Sequence, residues 1–317
     1  MPTTFLSLDS LKAYCDNPAN SLEDVVLGRN ITSLKGLFKR SLRTNEQYKG
    51  IENWDVSHIK NMESLFAYSN FNRDISGWNV TKVRNMNSMF RSCRHFNQPI
   101  GCWNTSKVTD MSCMFNGAEV FNQPVDSWDV SSVEKMNWMF SSAKAFNQPL
   151  DKWNVSSVTD MSGMFDGAKS FNQDISNWDV SSVEKMNWMF SGAKAFNQPL
   201  ENWDTSKVTN MSDMFSGAVS FNQPLNKWDV SSVKNMIEMF HDASSFCQPL
   251  NKWNFRKEDK TCDLMFNGSA MLPEYYPWVE RIIKKTAEEL KAEPESNGLK
   301  AYRNYENRLK NLFAGCA

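Results

Sequence analysis

Tryptophan recurs in this 317-residue chain at a nearly fixed interval, and this spacing constrains the fold more than any other feature. The first step is 24 residues and each later step is 25, with tryptophans at 54, 78, 103, 128, 153, 178, 203, 228 and 253. We number each repeat from its tryptophan as offset 0. A unit of this length buries its apolar face only by stacking on its neighbours, so the spacing predicts a solenoid.

Fixed offsets within the repeat hold most of the large apolar residues. Offset 8 is Met in eight successive repeats, from Met62 to Met236, and offset 12 is Phe from Phe66 to Phe240. Offset 18 is Phe in each repeat from Phe96 to Phe246, and Phe71 is the equivalent residue in the first repeat, which is one residue shorter. Fifteen of the 18 methionines occupy offsets 8 and 11. The aromatic and methionine content therefore indicates a repeated core rather than a cofactor site.

The spacing of apolar residues inside each repeat favours one helix and one short strand. Offsets 5, 8, 12 and 15 are apolar, which is typical of one face of an amphipathic helix. Ser131 and Glu134 match a capping box at the start of one such segment. We expect a helix from about offset 4 to offset 14. The following Phe-Asn-Gln-Pro-Leu alternates with period two and predicts an extended strand of two or three ladder-forming residues, because proline cannot donate.

The repeat pattern divides the chain into three segments. Residues 1–50 are predicted to form an N-terminal helical cap and a degenerate first repeat, with a short helix near Leu8–Tyr14. Residues 51–272 are predicted to form the solenoid of 25-residue repeats. Residues 273–317 carry two amphipathic patterns and predict a helical hairpin cap, or alternatively a dimerisation or partner-binding module. The fold class is thus an α/β solenoid of about nine coils, each with a short helix and a short extended strand, between helical caps.

Two polar rows accompany the apolar core. Asparagine recurs at offset 19 from Asn97 to Asn222, with Asn72 as its equivalent in the shorter first repeat, and is predicted to form a ladder that satisfies backbone groups of the adjacent coil. A ligand-binding row is the alternative. Offset 1 is Asp or Asn throughout, as at Asp129, Asn154 and Asp179. These residues are expected to accept local backbone hydrogen bonds rather than to act in catalysis or calcium binding.

Two additional tryptophans are the candidate binding residues. The stretch WDVSSVEKMNWMF occurs at 128–140 and again at 178–190, and it places Trp138 and Trp188 at offset 10. On the predicted helix this offset lies about 150° from the centre of the core stripe, so both indoles should point outward. Two coils apart, they should be roughly 10–20 Å from each other. Exposed tryptophan is a strong anchor for protein recognition. The alternative is that each lies flat over a neighbouring helix and is half buried.

Other functional classes lack support in the sequence. The net charge of −1 argues against a general nucleic-acid binder, and no apolar stretch approaches the length of a membrane span. The seven cysteines form no CxxC, the three histidines are scattered, and no catalytic set or phosphate-binding glycine loop stands out. We therefore expect no enzymatic activity, cofactor, metal or membrane insertion. The N-terminus has no signal-peptide features, which favours a cytoplasmic protein.

The letters WDVSSVxxMxxMFxxAxxFNQPL resemble a known repeat family across roughly residues 51–253. They are similar to the 25-residue repeats of BspA-like surface proteins, also called mycoplasma-lipoprotein-type repeats. The resemblance implies a leucine-rich-repeat-like, right-handed solenoid with roles at cell surfaces, in adhesion or in binding other proteins. It implies no catalytic residue. It also raises the alternative location, at the cell surface or exported by a signal-independent route.

The sequence therefore predicts a non-enzymatic protein-binding repeat scaffold that uses exposed variable residues, with Trp138 and Trp188 as candidate contacts. Its partners would be proteins whose identity the sequence does not specify. The alternative function is a structural or assembly protein that self-associates through its terminal helices.

Overall fold

The computed structural model of the protein describes residues 2–253 and 264–271. The N-terminal part contains strand β1 (Thr3–Phe5), helix α1 (Leu8–Cys15) and strand β2 (Val25–Leu27). β1 and β2 pair in parallel, with Thr3 opposite Val25. Two short 3-10 helices follow, at Glu46–Tyr48 and Ile51–Asn53. The hairpin cap predicted for residues 273–317 lies outside the described residues.

The helix predicted in each repeat is wrong. Residues 54–253 contain consecutive turns and no α-helix. Offsets 10 and 14 have left-handed backbone in every coil from 54 to 228, as at Trp138 (φ 59°) and Ser142 (φ 55°). Such residues interrupt the i to i−4 hydrogen bonding that an α-helix requires. The 3-4-3 apolar spacing instead arises from successive three-residue turns, such as the one closed by Met139 N–H to Met136 O at 3.2 Å.

Backbone hydrogen bonds between coils replace the missing helical bonds. In the coil at 128, the N–H groups of offsets 10 and 12 donate to the next coil, Trp138 to Ser162 O at 2.8 Å and Phe140 to Met164 O at 2.9 Å. Offsets 8 and 14 donate in the same direction. Offset 7 forms isolated parallel bridges between successive coils, from Ser33–Asn61 to Asn210–Asn235. The coils are thus joined on this side by continuous main-chain bonding.

The strand predicted at Phe-Asn-Gln-Pro-Leu is also wrong, because this segment is irregular in every described coil. Asparagine side chains bond its backbone instead. The N–H of Asn172 donates to Oδ1 of Asn147 at 2.9 Å, and Gln173 Nε2 donates to the same oxygen at 2.9 Å. The row begins where Asn72 N–H donates to Asn45 Oδ1 and ends where Cys247 N–H donates to Asn222 Oδ1. The predicted asparagine ladder is confirmed.

Aromatic stacks fill the core, and the predicted burial of the repeated apolar offsets is confirmed. The offset-12 rings of Phe140 and Phe165 stack with centroids 5.8 Å apart, and Phe165 stacks on Phe171 of its own coil at 3.9 Å. The repeat-heading tryptophans form a third row, with Trp153 and Trp178 at 6.4 Å. The Trp178 indole N–H donates to Leu150 O at 3.0 Å, which satisfies its only polar atom inside the core.

Candidate protein-binding surface

Trp138 and Trp188 lie at the surface, unlike the buried tryptophans at the head of each repeat. The side chain of Trp188 is 40% exposed, whereas that of Trp138 is half-buried. Their coil positions are equivalent, so the difference in exposure comes from their neighbours. A later coil covers part of Trp138. This matches the alternative prediction of a half-buried ring for Trp138 but not for Trp188, and the neighbouring coil is not helical.

The two indoles touch each other, and the predicted separation of 10–20 Å is wrong. Their ring centroids are 5.3 Å apart and their planes are inclined at 59°. Gly163 occupies offset 10 of the intervening coil and explains the contact. A Cβ at Gly163 would lie 2.3 Å from Cε3 of Trp138, so the ring of Trp138 fills the space that any side chain would take. The absence of a side chain at one coil brings together two side chains from the coils on either side.

Gly163 is the residue that sequence reasoning missed at this site. The sequence shows it between the two tryptophan coils at the same offset. Its significance depends on knowing that offset 10 projects to the same surface in every coil. The predicted helix placed each offset-10 side chain outward and kept the tryptophans of alternate coils too far apart to touch. The contact was therefore not predicted.

Offset 10 adopts the left-handed backbone whichever residue occupies it. The φ angle is 59° at both Trp138 and Trp188, and it lies at 55–56° at Cys113, Asp213 and Glu238. A bulky residue in this region is uncommon and costs roughly 1–2 kcal/mol. The stacked fold therefore imposes the conformation, and backbone preference does not account for tryptophan at these two positions.

Carboxylates adjoin the tryptophan pair on the side of the later coils. The indole of Trp188 lies close enough to Asp213, at offset 10 of the next coil, to lower the pKa of that carboxyl. Burial is the main cause that raises the pKa of Asp213, and the nearby charge of Glu238 raises it further. Neither carboxylate takes part in any of the ion pairs formed by the described residues, although His241 lies near enough to lower the pKa of Asp213.

The side of the earlier coils is neutral at offset 10. Ser88 and Cys113 occupy this offset there. Burial raises the pKa of the Cys113 thiol, so it is uncharged at neutral pH. Lys135 and Lys185 stand three residues before the two tryptophans, and Lys185 pairs with Asp160 at 3.7 Å. The offset-10 row is therefore uncharged toward the earlier coils and acidic toward the later coils.

The buried thiols and the offset-1 carboxylates elsewhere in the described chain have structural surroundings. Burial raises the pKa of Cys15 and of Cys93 to about 12, so both thiols are protonated at neutral pH. Asp129 accepts hydrogen bonds from Ser131 Oγ at 2.6 Å and Ser131 N–H at 3.0 Å, and these bonds lower its pKa. The local role predicted for offset 1 is confirmed. Within the described ranges, no group of three His, Cys, Asp or Glu side chains could hold a metal ion.

The stacked coils, aromatic rows and asparagine ladder define a repeat solenoid protein. The family model described as "Mycoplasma protein of unknown function, DUF285" matches residues 32–149, 120–207 and 174–276, and the chain belongs to this family. The more specific BspA-like assignment stays a prediction. None of the helices in the described part of the chain is long and apolar enough to cross a membrane.

One solved structure that overlaps this chain is described as "Crystal structure of TLR13-ssRNA13 complex". The overlap has a TM-score of 0.22 and 10% sequence identity, and it covers 85% of this chain and 49% of that chain. At this TM-score the overlap does not define a shared fold. The chain spans about half the length of that protein. A comparison with curated proteins gives no match.

Proposed function

We propose that this protein is a non-enzymatic scaffold that binds another protein through the surface around Trp138 and Trp188. The observation that supports the proposal is the contact of these two indoles over Gly163, with Trp188 40% exposed. Most large apolar side chains of the repeats are buried, so a pair of touching tryptophans with one ring exposed and the other half-buried stands out. Contiguous apolar surface of this kind marks interaction sites.

The energetics of the pair favour a role in binding. Tryptophan at a left-handed position is disfavoured by roughly 1–2 kcal/mol. Because the indole is only partly buried, the hydrophobic stabilisation that would offset this cost is incomplete. Glycine, found at offset 10 of the coil between the two tryptophans, would remove this backbone cost, whereas the serine of other coils would keep it but expose less apolar surface. Tryptophan supplies in return a large contact area that can contribute 2 kcal/mol or more at the centre of an interface.

Rigidity of the surface would add to affinity. The backbone N–H of Trp138 donates to Ser162 O at 2.8 Å, and that of Trp188 donates to Ser212 O at 2.9 Å. The backbone that carries each indole is therefore fixed to the coil that follows it. A surface fixed in this way loses little conformational entropy when a partner binds.

The test compares binding by the wild-type chain and by a double variant, Trp138→Ser with Trp188→Ser. Serine occupies the same offset at Ser64 and Ser88, so the fold accommodates it. Partners would be captured by cross-linking and identified by mass spectrometry, and their affinity would then be measured with purified components. We expect the double variant to keep its melting temperature and to weaken binding at least about 30-fold, which corresponds to about 2 kcal/mol.

Val120→Ser is the matched control, since Val120 is 44% exposed at offset 17, away from the tryptophan row. It should leave the affinity unchanged. A folded double variant that binds every partner as tightly as wild type would contradict the proposal. Light scattering over a dilution series tests the alternative, self-association through the terminal helices, because only self-association makes the mass depend on concentration.

A further inference from the structure

We propose that the surface around Trp138 and Trp188 docks a short, extended, basic segment of the partner protein. An arginine or lysine side chain of that segment lies against the exposed indole of Trp188 and pairs with Asp213 and Glu238. This inference rests on the proposed function and names the chemistry of the partner.

Charge complementarity is the first argument. Asp213 and Glu238 occupy offset 10 of successive coils, directly after Trp188 along the same row. The two carboxylates repel each other, and no ion pair of the described residues involves either one. Asp213 is already half-buried beside Trp188. A cation supplied by a partner would relieve this repulsion at a site where part of the desolvation has already occurred.

The aromatic faces provide the second argument. A guanidinium or ammonium group is attracted to the face of an indole, most strongly to tryptophan among the aromatic side chains, by about 0.5–2 kcal/mol. The ring of Trp188 contacts Trp138 at an inclination of 59°, lies near Asp213, and belongs to a residue that is 40% exposed. An aromatic face next to a carboxylate suits arginine in particular, because a planar guanidinium can stack and hydrogen-bond at once.

The remaining charges around the row orient the segment. Lys185 is paired with Asp160, and Lys135 belongs to the coil of Trp138, away from the two carboxylates. His241 pairs with Asp242 at 3.4 Å. Along the offset-10 row itself, the two carboxylates lie together toward the later coils. The basic side chain of the partner is placed over Asp213 and Glu238, and a nucleic acid, with its phosphates, would be repelled there.

The length of the row fixes the size of the segment. Trp138 and Glu238 are separated by four coil-to-coil steps. At about 4.8 Å a step, the row is roughly 20 Å long. An extended chain advances at most about 3.3–3.6 Å per residue, so about six residues span the row.

The test uses a fluorescein-labelled peptide, Gly-Arg-Gly-Arg-Gly-Arg-Gly, and the same peptide with citrulline at each arginine. Citrulline keeps the shape and removes the charge. Fluorescence anisotropy would measure binding to the full chain at low ionic strength and at about 0.15 M salt, where screening of exposed charges is strong. We expect the arginine peptide to bind at least about tenfold more tightly than the citrulline peptide.

Two sets of variants locate the binding site. Asp213→Asn with Glu238→Gln, and separately Trp188→Ser, should each weaken peptide binding at least about tenfold. Glu134→Gln with Glu184→Gln makes the same change in net charge on the two tryptophan coils, at offset 6. This control pair should change the affinity by less than about threefold, since it alters only the general field.

Three results would overturn the inference: equal binding of the two peptides, equal losses from the two carboxylate pairs, or unchanged binding by Trp188→Ser. The same variants tested on a captured partner separate this inference from the proposed function. If the tryptophan variants weaken that partner and the Asp213 and Glu238 variants do not, the protein-binding function stands and the basic segment is wrong. If neither set weakens it, both proposals fail.

Discussion

At the scale of single residues, one glycine determines the shape of the candidate surface. Gly163 has a left-handed backbone (φ 59°) and lies beneath the ring of Trp138. Gly192 has nearly the same backbone (φ 61°), but an added Cβ there would meet only Gly167, at 3.6 Å, which is ordinary contact. The two glycines therefore share a conformational requirement and differ in the neighbouring side chain.

This difference predicts the effect of alanine at each position. Gly192→Ala should cost about 1 kcal/mol, the penalty for alanine in a left-handed conformation. Gly163→Ala should cost about 1–3 kcal/mol more, because the methyl group and the Trp138 ring cannot occupy one space. Urea unfolding measures both losses. In a Trp138→Ser background the two losses should converge, and a Gly163→Ala loss that stays larger there would show that the ring is not the cause.

At the scale of the repeated element, asparagine side chains satisfy backbone groups that the neighbouring strands of a β-sheet would otherwise bond. Each offset-19 asparagine accepts the N–H of the following coil, as Asn147 does from Asn172. Proline follows two residues later in most coils and prevents regular pairing of this segment. The ladder of amides thus satisfies backbone groups that the irregular segment would otherwise leave unbonded.

Substitutions at Asn147 test this account. Asn147→Ala leaves the partly buried N–H of Asn172 without its acceptor and should lower the free energy of unfolding by about 1–3 kcal/mol. Asn147→Asp keeps an oxygen acceptor at the same place and should lose less. Chemical denaturation compares the two variants. Equal losses would mean that the hydrogen bond to Asn172 does not account for the role of Asn147.

Sequence reasoning succeeded at this scale where the repeat itself carries the information. The buried offsets, the asparagine ladder and the local bonding at offset 1 all follow from residue type and period. The helix predicted for offsets 4 to 14 was wrong, because three-residue turns place apolar side chains on one face with nearly the same spacing as a helix. Glycine at offset 14 in four coils (117, 167, 192 and 217) was the available sign of left-handed backbone. The contact between the Trp138 and Trp188 indoles could not be predicted from the sequence, since it depends on where the turns place the offset-10 side chains of successive coils.

At the scale of the whole molecule, the coils form a quasi-one-dimensional stack in which each coil bonds mainly to its neighbours, and the contact of Trp138 with Trp188 spans two steps. Residues 128–177 and 178–227 are closely similar, so a block of two coils is itself repeated. The hydrogen bonds between coils join the same offsets along this part of the chain. Whole coils should therefore be removable without disturbing the register of those that remain.

Two deletions test this modularity. Removal of residues 178–227 takes out two whole coils and should leave a cooperatively folded protein with a lower melting temperature. Removal of residues 178–215 takes out about one and a half coils, breaks the register of every row and should prevent folding of the later coils. Circular dichroism and limited proteolysis measure both outcomes. Equal behaviour of the two deletions would show that coil register does not govern the fold.

The hydrogen bonds between coils run in both directions along the stack. N–H groups at offsets 10 and 12 point toward the later coil, as at Trp138 and Phe140. The N–H groups of the asparagine row and the indole N–H groups point toward the earlier coil, as at Asn172 and Trp178. An α-helix aligns all its peptide dipoles and develops a pole at each end. Here the two sets of hydrogen bonds oppose each other in part, so each further coil should add less electrostatic polarity at the ends of the array than parallel alignment of all its dipoles would.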